Sequence, residues 1–456
     1  MTALHPPTPL NMTEKNYFRS LSGALRSRSS YEIASLLCPP VPSTVPPRSD
    51  GGTRPDIEPS RKNHPGLSSV STILDGSETS DWQPASSQGY VVHTYCSSPS
   101  SYAVPFASQS GLHSSLNRHL GQSAGNWLIP CIVSCCRNTF HLALAADQDN
   151  VDNKKENLER AVTLIQESFS RALNDRKEFK ADTTHLDEES SKKIGVLPIV
   201  NILFSIYFRL NNLRLCKNLL RPVESQGLHE RPVPAAVVDV SRLKRGRRGA
   251  ADDSVIKSGM SATYRYYVGR LNMFEDQYDA AEGHLGSAWK YCGTEAASGG
   301  AMRRNRRRIL NYLLPVKMLR GRLPTKEFLT KYGLLEFLPL VESIRKGDLK
   351  TFNDSLNIYQ EVFIRRGTFL LLEKCKTVCY RNLFKRIYLI TGLTQIPLEN
   401  ILSAFKCLEV PVDLDEVECI LANLIYRGFV KGYISHSKRI LVLSKKDPFP
   451  VSAVIK

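Results

Sequence analysis

Apolar residues recur at helical spacing along most of this chain after residue 126. The pattern predicts one helix over 157–173 and two more over 196–210 and 213–221, which Asn211-Asn212 joins as a turn. A helical hairpin of this kind cannot bury its apolar face without a neighbour. The sequence therefore predicts hairpins that stack on one another.

The hairpin pattern returns over 264–289. Tyr264, Val268 and Leu271 form one apolar stripe, and the small Gly269 suits a close contact between helices. Five further helices are predicted over 303–320, 325–332, 335–345, 349–364 and 368–388. We interpret residues 126–365 as an all-α helical-repeat platform of the tetratricopeptide-like kind.

The pattern changes again near the end of the chain. One short helix ends at about Phe405, a second starts after Asp413 as its N-cap, and alternating strands cover 429–435 and 439–443. With the helix over 368–388 placed first, the order is three helices and a hairpin, which is the order of a winged helix. We therefore assign residues 366–450 to a C-terminal winged helix.

The N-terminal part has a different composition. A short helical stretch over 17–37 ends at Pro39-Pro40, and from 39 to 121 Ser, Pro and Gly replace periodic apolar residues. We expect residues 1–125 to be a largely disordered segment with one short helix. Within the platform, residues 222–260 lose periodicity and contain the basic run 242–248, which indicates an exposed loop.

Charge and cysteine content narrow the classes of function. Lys and Arg total 61 against 44 Asp and Glu, a formal charge of +17, so polyanions are the first class of partner to consider. The 11 cysteines are scattered, which favours a reducing compartment. Residues 1–15 carry no apolar export signal, and Arg137 and His141 interrupt the most apolar window. We expect an intracellular protein that does not enter a membrane.

Motifs of catalysis and metal binding are missing from the sequence. It contains no Gly-rich phosphate loop after a strand, no His-Glu-x-x-His helix and no nucleophile elbow. Cys375 and Cys379 share one helix face, but no second Cys/His pair stands at zinc-finger spacing. We expect a protein without enzymatic activity, metal or cofactor.

Clustered basic residues carry the strongest functional signal. Five arginines stand within 303–308, and like charges four residues apart are unfavourable on a helix unless a partner faces them. Phosphate contact, an acidic protein partner and simple solvation all stay open for this run. The cations assigned to nucleic-acid contact are Lys317, Arg381, Lys385, Arg386, Lys406, Lys431, Lys438 and Arg439.

The third helix of the winged helix argues against base reading. It begins with Asp413, Asp415, Glu416 and Glu418, which would repel phosphates as the helix entered a major groove. Contact with the nucleic-acid backbone through the wing and the first helix is the more physical mode. The residues assigned to partner binding are Arg303, Arg307, Tyr426, Phe429 and Tyr433.

Four blocks of the sequence resemble a known family. They are 263–270 (TYRYYVGR), 311–319 (NYLLPVKML), 380–385 (YRNLFK) and 420–435 (ILANLIYRGFVKGYIS). They are similar to the PCI-domain proteins of the messenger-RNA export branch, and the similarity runs from about 126 to 450. The resemblance implies a larger PCI-type scaffold subunit that pairs winged helix against winged helix, a small acidic subunit, and nucleic-acid binding without strong sequence preference.

The expected function is that of a non-enzymatic adaptor in a nuclear, transcription-coupled complex that exports messenger RNA. The alternative is a structural PCI subunit of a signalosome, proteasome-lid or initiation-factor-like assembly that binds no nucleic acid. A sequence-specific transcription factor is disfavoured by the acidic third helix. The basic run 242–248 is consistent with nuclear import, and the resemblance implies a place near nuclear pores with some cytoplasmic protein.

Overall fold

The chain divides into two compact units, residues 1–264 and 265–456. A computed structural model describes residues 14–27, 29–38, 82–96, 102–123, 125–149, 155–179, 190–231, 233, 237, 250–292 and 299–450. The basic run 242–248 and residues 39–81 lie outside these ranges.

All the regular elements that the structure describes in the first unit are helices. They are α1 (Glu14–Arg26), α2 (Ser30–Leu37), α3 (Gln83–Cys96), α4 (Ala103–Gln122), α5 (Ile129–Asp149), α6 (Glu156–Leu173), α7 (Val196–Leu210), α8 (Leu213–Ser225) and the start of α9 (Ala250–Phe274), with a 3₁₀ turn at Lys192–Gly195. Consecutive helices from α3 to α8 pack on one another. The predicted hairpin of α7 and α8 is present, and Asn211 makes its turn with a left-handed φ of 57°.

The helices α3 and α4 occupy the later part of the segment 39–121, which the sequence predicts to be mostly disordered. Helix α4 buries polar residues together with its leucines, so its apolar positions show no clear period. His113 lies 2.9 Å from Thr139 Oγ1 and 2.8 Å from Ser168 Oγ, and Asn117 Oδ1 accepts a hydrogen bond from Ser168. Burial lowers the pKa of His113 to about 4, which keeps its ring neutral. A helix that hides a satisfied polar network cannot be recognised from hydrophobic periodicity alone.

Two helices of this unit are apolar and long enough to cross a membrane by length and composition, Ile129–Asp149 and Lys192–Leu210. Neighbouring helices bury 78% of the apolar window of the first and 67% of the second. Packing inside the unit therefore accounts for their apolar character.

The second unit continues as helices that stack in the predicted order. They are the end of α9, then α10 (Tyr278–Tyr291), α11 (Gly299–Leu319), α12 (Lys326–Tyr332), α13 (Leu338–Lys346), α14 (Leu349–Ile358), α15 (Gln360–Arg366) and α16 (Phe369–Lys374), with a 3₁₀ turn at Leu335–Phe337. A Cβ on Gly269 would stand 2.7 Å from Leu285 Cγ, so α9 and α10 approach closely because this position has no side chain. Asp276 makes the turn between them with φ 60°.

A winged helix closes the second unit, as the sequence predicts. Its elements are α17 (Lys376–Thr391), β1 (Gln395–Pro397), α18 (Leu398–Cys407), α19 (Leu414–Tyr426), β2 (Gly432–Ser435) and β3 (Ile440–Leu443). The three strands are antiparallel in the order β1-β3-β2. The single helix expected over 368–388 is split at Cys375 into α16 and α17, and β1 was missed because three residues are too few to show an alternating pattern.

One apolar core joins the winged helix to the preceding helices of this unit. Phe337 and Phe363 from the helical stack belong to the same buried cluster as Phe384, Phe405 and Leu441 from the winged helix. The two segments are therefore packed as one body, and no linker separates them.

Candidate nucleic-acid and partner interface

The wing is tied to the start of α19 by charged side chains. Arg439 Nη1 donates to Asp415 Oδ1 at 2.6 Å and to Glu418 Oε2 at 3.3 Å. His436 Nδ1 lies 2.9 Å from the same Glu418 carboxylate. Arg439 reaches this position because it follows the strand turn with a left-handed φ of 52°. The acidic helix start and the basic wing tip therefore face each other.

These ion pairs change the charge that the wing offers to a polyanion. The hydrogen bond and charge of Arg439 hold the pKa of Asp415 below its usual range, and Asp415 in turn raises the pKa of Arg439. A polyanion must compete with two carboxylates for this guanidinium. The assignment of Arg439 to phosphate contact stays a prediction, and its guanidinium is already paired with two carboxylates.

The acidic start of α19 has a second, structural use. Asp413 caps the helix by accepting a hydrogen bond from the Glu416 N–H at 2.7 Å, and the Glu416 carboxylate accepts one from the Asp413 N–H at 3.1 Å. This reciprocal capping box stabilises the helix N-terminus. Capping and the pairing with Arg439 together account for all four acids that the sequence places here.

Three lysines of the winged helix keep their charge at the surface. Lys406 ends α18, Lys431 precedes β2, and Lys438 stands at the wing tip between β2 and β3, each of them exposed. Among the residues that the structure describes, no carboxylate forms an ion pair with any of the three. They are the cations of this module that a phosphate could approach without displacing an acid.

Helix α17 divides its three assigned cations between different environments. Arg381 is only 9% exposed, and its guanidinium donates to the Phe449 carbonyl and to Asn382 Oδ1. Burial lowers its pKa from the usual value. The assignment of Arg381 to nucleic-acid contact is therefore wrong, because this side chain fastens the chain end onto the winged helix. Lys385 is half-buried and Arg386 is exposed.

Two of the three assigned aromatics are available to a partner. Tyr426 is 90% exposed at the end of α19, and Tyr433 is 63% exposed on β2, one of the two edge strands of the three-stranded sheet. Phe429 is 4% exposed and belongs to the core, which corrects its assignment to partner binding. Gly428 ends α19 with a left-handed φ of 76°, and the Phe429 N–H returns to the Leu424 carbonyl at 2.8 Å. This helix C-cap turns the ring inward.

The remaining assigned residues lie on α11, within the helical stack. Lys317 is half-buried in the last turn of that helix, whereas Arg303 and Arg307 are exposed near its beginning. The structure also reveals a contact that the sequence does not show, since Arg306 of the same run lies 4.6 Å from the ring centroid of Trp289.

The described residues contain no group of three or more His, Cys, Asp or Glu side chains placed to hold a metal ion. Cys375 and Cys379 are buried in separate environments, with Sγ atoms near the Pro315 and Ser343 carbonyls respectively. Burial raises the pKa of both thiols, that of Cys379 to about 12. Both are therefore neutral thiols of the core.

Comparison with known proteins agrees with this geometry. The PCI domain model matches residues 356–445, which span the last helices of the stack and the winged helix. A PCI domain-containing protein 2 from Xenopus laevis is 38% identical over 330 residues, 71% of this chain and 73% of the relative. The chain belongs to the PCI domain-containing protein 2 family.

Other relatives extend the family. The PCI domain-containing protein 2 homolog of Drosophila melanogaster is 35% identical over 364 residues, 79% of this chain and 82% of the relative. A Neurospora crassa protein named CSN12 homolog is 28% identical over 373 residues, 74% of this chain and 75% of the relative. This chain is thus a PCI-type subunit of a protein complex, and proteins of this family are generally structural scaffold subunits.

Proposed function

We propose that this chain is a non-enzymatic adaptor subunit of a nuclear, transcription-coupled complex that exports messenger RNA. It docks a larger PCI-type scaffold subunit, takes up a small acidic subunit, and adds a basic surface that binds RNA or DNA without strong sequence preference. Its place is the nucleus near the pores, with a fraction in the cytoplasm. The proposal rests on one contrast within the winged helix. Its exposed lysines pair with no carboxylate of the described residues, whereas the acids at the start of α19 are held by the helix cap and by Arg439.

Backbone contact follows from that contrast. Lys406, Lys431 and Lys438 are exposed and unpaired with carboxylates of the described residues, so they can meet phosphates at the cost of solvent contacts only. The start of α19 carries acids that are committed to the cap and to Arg439. A helix with this charge at its N-terminus is unsuited to entry into a major groove. Binding through phosphates, without base readout, fits both facts.

Docking is supported by apolar groups at the edge of the same module. Tyr433 projects from β2, whose outer edge has no strand neighbour among the described residues, and Tyr426 ends the adjacent helix. Large aromatic side chains anchor protein interfaces because each buries a wide area at a small entropy cost. An edge strand also offers unpaired backbone groups to a partner. Both features suit attachment to a second winged helix.

One alternative has an observation of its own. A structural subunit of a signalosome, proteasome-lid or initiation-factor-like assembly would need the docking edge but no nucleic acid. The Neurospora crassa relative named CSN12 homolog favours that class.

A salt titration of RNA binding separates the two. The full chain is purified with its scaffold subunit, and binding of a labelled 20-nucleotide oligouridine is measured from 50 to 300 mM salt. The triple variant Lys406→Glu, Lys431→Glu and Lys438→Glu is expected to lower the salt slope by about 2, at roughly 0.7 for each phosphate that is no longer neutralised. The matched control is Arg160→Glu, Arg214→Glu and Arg221→Glu, three exposed arginines of α6 and α8. RNA binding that is equal in all three proteins, or absent with the scaffold still attached, would favour the structural subunit.

A further inference from the structure

The start of α11 is an unusual place for positive charge. Arg303, Arg304, Arg307 and Arg308 are exposed in its first turns, and they form two like-charged pairs four residues apart. Such pairs repel each other on a helix. Cations near a helix N-terminus also oppose the positive end of the helix dipole. Neither the repulsion between these arginines nor their unfavourable interaction with the helix dipole is offset by an acid among the described residues. No ion pair joins Arg304, Arg307 or Arg308 to a carboxylate there.

Neutral groups hold part of this run in a fixed arrangement. Arg303 Nη2 donates to the Lys331 carbonyl at 2.6 Å, which ties α11 to the last turn of α12. Arg306 lies over Trp289 and donates from Nη1 to the Tyr332 hydroxyl at 3.3 Å. A carbonyl or an aromatic ring orients a guanidinium and leaves its charge in place. Two arginines of the run are therefore held in a fixed arrangement by neutral groups.

The ring beneath Arg306 is itself braced. The centroid of Trp289 lies 5.2 Å from that of Tyr332 and 6.1 Å from that of Phe328, and the last two rings are 5.1 Å apart. Three aromatic rings on α10 and α12 thus form a platform under one arginine. Pre-ordered side chains lose less entropy on binding than free ones.

Further arginines continue from this point towards the winged helix. Helix α12 has seven residues and so spans about 10 Å. At its beginning Arg345 Nη2 reaches the Pro324 carbonyl at 3.5 Å, and next to Arg345 the Lys346 carbonyl accepts a hydrogen bond from Arg386 Nη1 at 2.7 Å. Arginines that donate to backbone carbonyls therefore occur on α11, α13 and α17, all within the second unit.

The acids of these helices do not cancel the series. Glu327 precedes Lys331 by four residues on α12, and Glu342 precedes Lys346 by four residues on α13. That spacing and order suit Glu–Lys pairing along a helix. Among the described residues, no ion pair joins Glu327 or Glu342 to an arginine of this series.

We propose that the start of α11, with Arg304, Arg307 and Arg308 at its centre, is a second phosphate-binding site for single-stranded RNA, continued by Arg345 and Arg386 towards the winged helix. Guanidinium groups bind phosphate oxygens through paired N–H donors, and bases can stack on their planes. A chain of phosphates supplies a negative charge at every nucleotide, which matches a series of cations better than a single acidic side chain does. This site rests on the proposed function, since it lengthens the path of the same polymer.

The variant Arg304→Ala, Arg307→Ala and Arg308→Ala tests the site in the full chain bound to its scaffold. These side chains hold no structural hydrogen bond in the described residues, so the melting temperature should stay within a few degrees of the parent. The salt slope for the 20-nucleotide oligouridine is expected to fall by about 2, with a loss of affinity of about tenfold or more at 0.1 M salt. The control removes the same charge from the first unit by Arg160→Ala, Arg214→Ala and Arg221→Ala.

Crosslinking tests where the RNA lies on the protein, independently of any change in charge. A p-benzoylphenylalanine in place of the exposed Asn305 should crosslink to the oligouridine under ultraviolet light, whereas the same group in place of exposed Asn218 on α8 should not. Crosslinks at both positions in equal yield would overturn the site.

The outcomes distinguish this site from the proposed function. An unchanged salt slope for the α11 variant, beside a reduced slope for the Lys406, Lys431 and Lys438 variant, overturns the second site and leaves the adaptor function standing. Loss of the scaffold subunit with RNA affinity intact overturns it in favour of an acidic protein partner. Equal RNA binding in both variants and the parent defeats the site and the proposed function together.

Discussion

Arginine side chains have different partners at the wing and at the start of α11. At the wing, Arg439 is held by the carboxylates of Asp415 and Glu418, which cancel its charge. At the start of α11, Arg303 is held by a backbone carbonyl, which leaves its charge in place. Both regions look equally basic when positive residues are counted along the sequence. The group that fixes each guanidinium decides whether its charge remains available.

Arg381 is the extreme case of an internal arginine. Its guanidinium is buried and donates hydrogen bonds to the Phe449 carbonyl and the Asn382 side chain. Within one unit of the fold, arginine thus has three environments. Arg381 is buried and holds backbone and side-chain acceptors, Arg439 pairs with carboxylates at the wing, and Arg303 is exposed and donates to a carbonyl. Three predictions test this division, in order of decreasing effect.

The first concerns the clamp. Replacing Arg381 with Met keeps an unbranched apolar stem but leaves one buried and one partly buried acceptor without their donor. We expect the free energy of unfolding to fall by about 2–3 kcal/mol, because hydrogen bonds from charged groups contribute about that much. Urea denaturation measures the loss. The salt slope of RNA binding should not change, and a reduced slope in a folded protein would show that Arg381 reaches phosphate after all.

The second concerns the neutralised contact. The double variant Asp415→Asn and Glu418→Gln removes the acids that face Arg439 and leaves the Asp413–Glu416 cap intact. Freeing one guanidinium should raise the salt slope by about 0.7 and strengthen RNA binding by about fivefold at 0.1 M salt. The same titration with Glu156→Gln and Glu159→Gln, two exposed acids of α6, controls for net charge. Equal gains in both variants would mean that total charge, and not the wing contact, sets the affinity.

The third concerns the oriented arginine. Tyr332→Phe deletes only the hydroxyl that accepts from Arg306, while Trp289 continues to hold the guanidinium. We expect a stability change of less than about 1 kcal/mol and an RNA affinity reduced by no more than about twofold. A drop as large as that of the Arg304, Arg307 and Arg308 variant would mean that orientation, rather than charge, dominates this site.

Much of the architecture can be read from the sequence because long amphipathic helices have a strong periodic signal. The α7–α8 hairpin and the N-cap at Asp413 were both predicted from local residue types. Helix α4 could not be predicted in this way, since His113 and Asn117 find their partners on other helices. The strand β1 was missed because three residues are too few to show an alternating pattern, and its partner β3 lies about 45 residues further along the chain.

The site was only partly predictable. Exposure of Tyr426 and Tyr433, and burial of Phe429 between them in sequence, depend on the turn at Gly428 and on the core behind it. No local pattern distinguishes Arg381 from Arg386 on one helix, although the first clamps the chain end and the second bonds to the Lys346 carbonyl at the surface. The platform under Arg306 joins rings from two helices that are about 40 residues apart in the chain.

The sequence by itself determined the helical class, the winged helix at the end, the excess of positive charge and the family to which the chain belongs. Those properties rest on local periodicity, capping and residue identity, which act between neighbours in the chain. The tertiary structure alone decided which cations stay open, because a guanidinium keeps or loses its charge according to the group that packing places beside it. Carboxylates pair with Arg439 at the wing, whereas Arg303 of α11 is held by a carbonyl and pairs with no carboxylate among the described residues.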